Sequence, residues 1–232
     1  MKRFAARAIL YAFLPFMASY GDASCAKGPH TLYSQQAVSL DSGLVRIKSP
    51  DGMKVLVVKR EDEAKNSDGV DMLFTVDAYQ KMFSLRLPGF NGEVLWSPDS
   101  SAFAVTETEG GGGIGNVAYL FYVSETGVKM EDVHSVVERA FGTPAKCEVA
   151  VGPNTAIVGW LHGSKKILVA AEVVPVSLCE CMGMYKVYEL SVPDMRIVKT
   201  YSQITAKKRF WDLLGCELRD ADSACAERLQ GN

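Results

Sequence analysis

Three features of this 232-residue chain predict an all-β fold of repeated four-stranded sheets, with a short inserted helix and a helical C-terminal tail. The first is a recurring turn. Trp96-Ser97-Pro98-Asp99 leads into Phe103–Thr106, and 48 positions earlier Ser49-Pro50-Asp51-Gly52 leads into Val55–Val58. A weaker copy, Trp160-Leu161-His162-Gly163-Ser164, lies 64 positions after the Trp96 turn and leads into Ile167–Ala171. The second feature is spacing. From Ser49, Ser97 and Leu161 to the strand centres Leu73, Leu120 and Val187 the distances are 24, 23 and 26 residues. The third is two-sided apolarity. Successive strand residues face opposite sides of a sheet, yet Val55-Leu56-Val57-Val58 and Ile167-Leu168-Val169-Ala170 are apolar throughout. Such sheets need cover on both faces.

The chain opens on Lys2, Arg3 and Arg7, followed by the apolar run Ala8–Ala18. This is the pattern of a secretory signal peptide, residues 1–21, with cleavage after Ala26 as the alternative. The run is too short, and carries Pro15, for a membrane span. Removing residues 1–21 takes away three cations and no acid, so the net charge moves from −2 to −5. Acids and bases are interspersed, which argues against a nucleic-acid partner. No second apolar run reaches spanning length, so a periplasmic or extracellular product is expected. Export permits disulfides among Cys25, Cys147, Cys179, Cys181, Cys216 and Cys225. Cys216 with Cys225 is the favoured pair, because the two flank a helix–turn. Cys147 with Cys179 or Cys181 is the second. Sequence alone leaves the connectivity open.

The repeat domain is expected over 28–202. Leu44–Ile47 reads as a strand. In Ser49-Pro50-Asp51-Gly52, Pro presets φ, Asp accepts local hydrogen bonds and Gly closes the turn. Strands follow at Val55–Val58, Met72–Val76 and Met82–Leu87, with a charged loop at Arg60–Gly69 and a turn at Ala78–Lys81. The second unit repeats this order: Phe103–Thr106, a loop at Glu109–Asn116, Ala118–Val123, a turn at Ser124–Gly127, then Val128–Met130. Glu131–Phe141 has Val133, Val136 and Val137 on one side and reads as a helix ended by Gly142-Thr143-Pro144. The third unit begins after Cys147–Val151. It has Ile167–Ala171, a loop at Cys179–Met184, Tyr185–Leu190, a turn at Ser191–Asp194, and Met195–Thr200. In the tail, 203–232, Lys207–Leu214 and Ala224–Leu229 read as helical, with Trp211, Leu213 and Leu214 docking on the body.

A period of ~40–50 residues with about four short strands is that of a propeller blade. The order Trp, Ser-Pro-Asp, aliphatic–aromatic strand, loop, aromatic strand, turn, strand resembles the WD40-like repeats of TolB-type β-propellers. Residues 96–130 match best, through Trp96, Ser97-Pro98-Asp99, Phe103-Ala104-Val105 and Tyr119-Leu120-Phe121-Tyr122. Residues 49–87 carry Lys48 where the Trp would stand, and residues 160–200 lack the Pro-Asp pair. The resemblance implies three blades, or four if 28–47 and 145–160 contribute strands. Closed propellers have four to eight blades. The expectation is therefore a small irregular propeller, an open stack capped by helices, or a homodimer completing a ring.

The resemblance specifies blades, and function has to be argued from sites. The loops between second and third strands occupy equivalent places and vary between copies. Asp68, Glu109 and Asn116 are the candidate partner-binding residues on that loop face. Gly110-Gly111-Gly112-Gly113-Ile114-Gly115 has no following Lys-Ser/Thr and leads into a strand, so it is a hairpin loop and no phosphate cradle. Cys179-Glu180-Cys181-Met182-Gly183-Met184 offers soft ligands, but export favours oxidised cysteines with the methionines packed. His30, His134 and His162 show no metal-ligand spacing, and no nucleophile motif is present. No catalytic residue, metal or cofactor is expected. The expected function is an exported, non-catalytic binding or scaffold protein engaging a protein or envelope component. The alternative is a secreted hydrolase or lyase acting on a glycan or peptide through two carboxylates.

Overall fold

The computed structural model describes residues 33–40, 44–62, 70–78, 81–88, 91–108, 115–142, 152–174, 179–222 and 225. The expected signal segment, both expected cleavage positions, Asp68, Glu109, Cys25, Cys147 and most of the segment after Asp222 lie outside them.

The described residues form a mostly β architecture of three antiparallel sheets. After β1 (Val38–Ser39), strands β2 (Leu44–Lys48), β3 (Val55–Asp62), β4 (Val70–Ala78) and β5 (Lys81–Pro88) make the first sheet in chain order. Strands β6 (Asn91–Trp96), β7 (Ala102–Thr108), β8 (Asn116–Ser124) and β9 (Gly127–Asp132) make the second, with β1 added beside β6. Helix α1 (Val133–Phe141) follows. Strands β10 (Asn154–Leu161), β11 (Lys166–Glu172), β12 (Tyr185–Ser191) and β13 (Arg196–Ser202) make the third sheet. Helices α2 (Gln203–Phe210) and α3 (Cys216–Asp220) close the chain.

The sheets are joined through their faces. Ile47, Leu56, Val58 and Val76 of the first pack against Trp96, Phe103, Val105 and Phe121 of the second. The rings of Phe103 and Phe121 stack at 4.9 Å, and Trp96 tilts on Phe103 at 5.2 Å. Leu95, Ala104 and Leu120, on the opposite face of the second sheet, meet Ile157, Trp160, Ile167 and Val169 of the third. Helix α1 buries Val133 and Val137 in the same core. The third sheet's far face, with Leu168, Val187 and Tyr201, is covered by Tyr33, Phe210, Leu214 and Leu218. The expectation of two covered faces therefore holds for Ile167–Ala170 but needs correction for Val55–Val58. Leu56 and Val58 are buried, while Val55 and Val57 face outward and are half-buried.

The repeated turns lie side by side and are hydrogen-bonded to one another. The Asp51 N–H donates to the Ser100 hydroxyl at 3.0 Å, and the Asp99 N–H donates to the Ser164 hydroxyl at 3.1 Å. Ser100 and Ser164 stand in the left-handed region, with φ of 61° and 75°, as does Gly52 with φ of 71°. A serine tolerates that cost at the two inner turns because its hydroxyl receives the preceding sheet's amide. Among the described residues the first turn has no preceding sheet, and it carries glycine. Within the first two turns the Asp carboxylate accepts from the Ser hydroxyl two residues earlier, Ser49 at 2.5 Å and Ser97 at 2.7 Å. That bond, with the Met53 N–H next in weight, holds the Asp51 carboxyl down at about 2. Ser164→Ala removes the acceptor and keeps the backbone strain, so it should cost about 1 kcal/mol. Ser164→Gly loses the same bond but relieves about 1 kcal/mol of left-handed strain, so it should be near neutral. Chemical denaturation of the two variants checks that ordering.

The helices differ from expectation at their ends. Helix α1 starts at Val133, two residues late, because Asp132 caps it by accepting from the Ser135 N–H at 2.9 Å. The tail helix starts at Gln203, capped by Ser202, and stops at Phe210. Residues beyond it turn, with Leu213 and Leu214 donating their N–H groups to the Phe210 carbonyl. Leu214 is buried as expected, but Trp211 stays 50% exposed beneath the Arg219 guanidinium.

Candidate functional site

Because the turns cluster at one end of the sheets, the strand ends Thr108, Asn116, Asn154, Glu172 and Tyr185 gather at the other. Polar side chains concentrate there. On the third sheet Asn154, Glu172 and Tyr185 are direct cross-strand neighbours. Tyr33 reaches into them from the N-terminal segment. Its hydroxyl donates to Glu172 Oε2 at 3.2 Å and accepts from Asn116 Nδ2 at 2.6 Å. Asn154 Oδ1 accepts the N–H groups of Gly115 and Asn116 at 3.1 and 3.2 Å. The Glu93 carboxylate, on β6, accepts from the Tyr33 and Ser34 N–H groups at 2.6 and 3.1 Å. The same segment is bound to the tail, since the Gly215 N–H donates to the Tyr33 carbonyl at 2.7 Å and the Gln35 N–H to the Leu213 carbonyl at 3.0 Å.

Tyr33 is therefore a clasp. It joins the second sheet through Glu93 and Asn116, the third through Glu172, and the tail through Gly215. Burial pushes the Glu172 carboxyl up to about 8, aided by the Glu217 charge, and the bonds from Tyr33 and Asn154 only partly offset this. Burial likewise raises the Tyr33 and Tyr185 phenols, with the Glu172 charge adding to each. A protonated Glu172 fits a site of this kind, since burial away from water disfavours the ionised carboxylate.

Asn116, expected on an exposed loop face, is 1% exposed and belongs to the clasp. It starts β8, and its polar groups are consumed by Tyr33, Thr108 and Asn154. Of the three candidate binding residues, Asp68 and Glu109 lie outside the described residues. The buried carboxylates Glu93 and Glu172 hold strand ends and the N-terminal segment, and both are sealed from solvent.

His134 carries the other notable constellation. Its Nδ1 lies 2.8 Å from Thr155 Oγ1 and its Nε2 lies 3.6 Å from Glu138 Oε2. A hydroxyl, an imidazole and a carboxylate in a row invite a nucleophile reading. Thr155, however, is fully buried, and its Oγ1 accepts the Ala118 N–H at 3.2 Å. It ties β10 to β8, and Thr106 ties β10 to β7 by accepting the Ile157 N–H at 2.9 Å.

Cys181 bonds to Cys225, across 44 residues. This corrects the expected Cys216–Cys225 pairing. Cys181 stands in the turn before β12, and its Cα lies 5.5 Å from that of Cys225, the spacing a disulfide needs. Cys179 and Cys216 are disulfide-bonded as well. Met182 is exposed, not packed as expected. Among the described residues no group of three or more His, Cys, Asp or Glu side chains is arranged to hold a metal, and no helix is long and apolar enough to cross a membrane.

Sequence reading missed Tyr33, Glu93, Asn154 and Glu172. The available signal was an acidic residue inside an apolar strand, as in Ala170-Ala171-Glu172-Val173-Val174. Comparison with protein-family models, curated proteins and solved structures gives no match.

Proposed function

We propose that this is an exported binding or scaffold protein whose three sheets are propeller-like blades of the TolB type. It engages a protein or envelope component through the end that bears the variable loops. The observation that carries this reading is the bonding of the turns: Asp51 to Ser100, and Asp99 to Ser164. With the turns held together at one end, the strand ends bordering 63–69, 109–114 and 175–184 share the other. Three loops of unlike sequence on one rigid base form a recognition surface in the way loops on other β scaffolds do. The Cys181–Cys225 disulfide is compatible with an oxidising destination. Glu93 and Glu172, two of the buried carboxylates, are engaged in the clasp.

The test replaces 63–69 and 109–114 together by Gly-Ser linkers of equal length. Cells making the natural or the variant chain are treated with a lysine-reactive crosslinker. The expected result is an adduct to a protein or wall component that falls about tenfold in the variant, a loss of roughly 1.4 kcal/mol of binding, with an unchanged unfolding midpoint. Adducts of equal yield would sink the loop face.

A further inference from the structure

We propose that the outward face of the first sheet is a second interaction surface, shaped for an acidic protein partner. The repeat itself marks this face as different. Trp96 and Trp160 point towards the sheet before their own, and fill the cores between sheets. Ser100 and Ser164 receive that sheet's turn amide. At the first sheet these two positions are Lys48 and Gly52, both exposed. A lysine in the tryptophan's place would carry a charge into any sheet–sheet core, at a cost of several kcal/mol. Another sheet of this type, from this chain or from a second copy, does not seat there.

What the face does present is cationic and apolar together. The strand register sets Lys48, Val55, Asp77 and Met82 in one row, and Arg46, Val57, Thr75 and Ser84 in the next. Among the described strand side chains of this face Arg46, Lys48 and Lys59 are exposed cations and Asp77 is an exposed acid. This concentration of cations stands out in a chain whose net charge is −2. Arg46 and Lys48 have no ion-pair partner among the described residues. Val55 and Val57 lie half-buried between them, and Met82 is 72% exposed at the far edge. An apolar centre beside a charged edge is the anatomy of a protein interface. Like charges disfavour self-pairing across a two-fold axis, while opposite charges steer and align a partner. A polyanion would call for cations throughout the surface, and here they flank a hydrocarbon strip. The fitting partner is a folded protein that offers Asp and Glu side chains to Arg46 and Lys48 and an apolar patch to Val55 and Val57.

The experiment places a photo-crosslinking benzophenone amino acid at Met82 in the full chain, produced and exported in its own cells. The expected result is an adduct with another protein whose crosslinked peptide is rich in Asp and Glu. Its yield should fall about tenfold in R46E/K48E, or roughly 1.4 kcal/mol, and should fall with added salt. R46Q/K48Q, which removes charge without reversing it, keeps the test valid if the reversal perturbs folding. Replacing the loops at 63–69 and 109–114 should leave this adduct intact, which separates the two surfaces. The proposal is overturned by an adduct between two copies of the chain, by an adduct with lipid or polymer alone, by a yield indifferent to both charge variants, or by no adduct.

Discussion

Trp96→Ala is expected to destabilise the fold by about 3–5 kcal/mol, the range for deleting a buried aromatic from a core. Trp96 is 7% exposed and closes the space between the first two sheets, against Phe103 and beside the Ile47–Leu56 surface. Its indole N–H is buried without a partner among the described residues, as is that of Trp160. The ring therefore contributes through apolar area and contact and draws nothing from hydrogen bonding, so alanine forfeits that whole contribution. The informative control is Lys48→Trp, which restores the repeat's aromatic where no sheet faces it. A surface change of that kind should alter stability by less than about 0.5 kcal/mol. Urea denaturation of the two variants measures both. A Trp96→Ala cost no larger than that of Lys48→Trp would mean that the first two sheets are not packed through this position.

The contrast between Trp96 and Lys48 also explains what was legible in the sequence. The repeated turn, its spacing and the strands after it were readable, because a hairpin is a local object. Pro98 and Asp99 act within a few residues, and alternation sets the register of β7 against β8. The departure at Lys48 was visible too, although its meaning, a sheet with no neighbouring sheet on that side among the described residues, needed the packing. The clasp was hidden for the opposite reason. Tyr33 meets Glu93 and Glu172 across 60 and 139 residues, and no local pattern encodes such a pair. The addition of β1 to β6 is equally remote, and Val38-Ser39 is too short to announce a strand. The cysteine pairing went astray because sequence proximity favoured Cys216 as the partner of Cys225. The turn before β12, which brings the Cys181 Cα within 5.5 Å of that of Cys225, decides it instead. Following the glycine run, Asn116 reads as loop, whereas it opens β8 and bonds inward.

Glu172→Gln is expected to flatten the pH dependence of stability between about pH 5 and 8. The carboxyl sits at about 8 in the fold, against 4.5 for an ordinary glutamate. Burial is the main cause and the nearby Glu217 charge the second. In this window the folded chain holds the proton and the unfolded chain releases it. The stability contributed is fully present below about pH 4.5 and is lost as pH rises towards 8. At roughly 1.4 kcal/mol per pH unit, the natural chain gives up on the order of 4 kcal/mol across the window. The amide of the glutamine variant is neutral throughout and can still accept from Tyr33, so this component should vanish. The two chains should be close in stability near pH 4.5, with the variant the more stable at pH 8. The phenols facing Glu172, Tyr33 and Tyr185, are raised above their ordinary value and do not titrate in this window. Asp51, held at about 2, acts in the reverse direction, with stability lost only as the pH falls below the ordinary carboxylate range. Urea midpoints of both chains at pH 5, 6.5 and 8 resolve the difference. Parallel slopes would show that Glu172 is already ionised in the fold, and the clasp would then be an ion-stabilised junction in place of a neutral one.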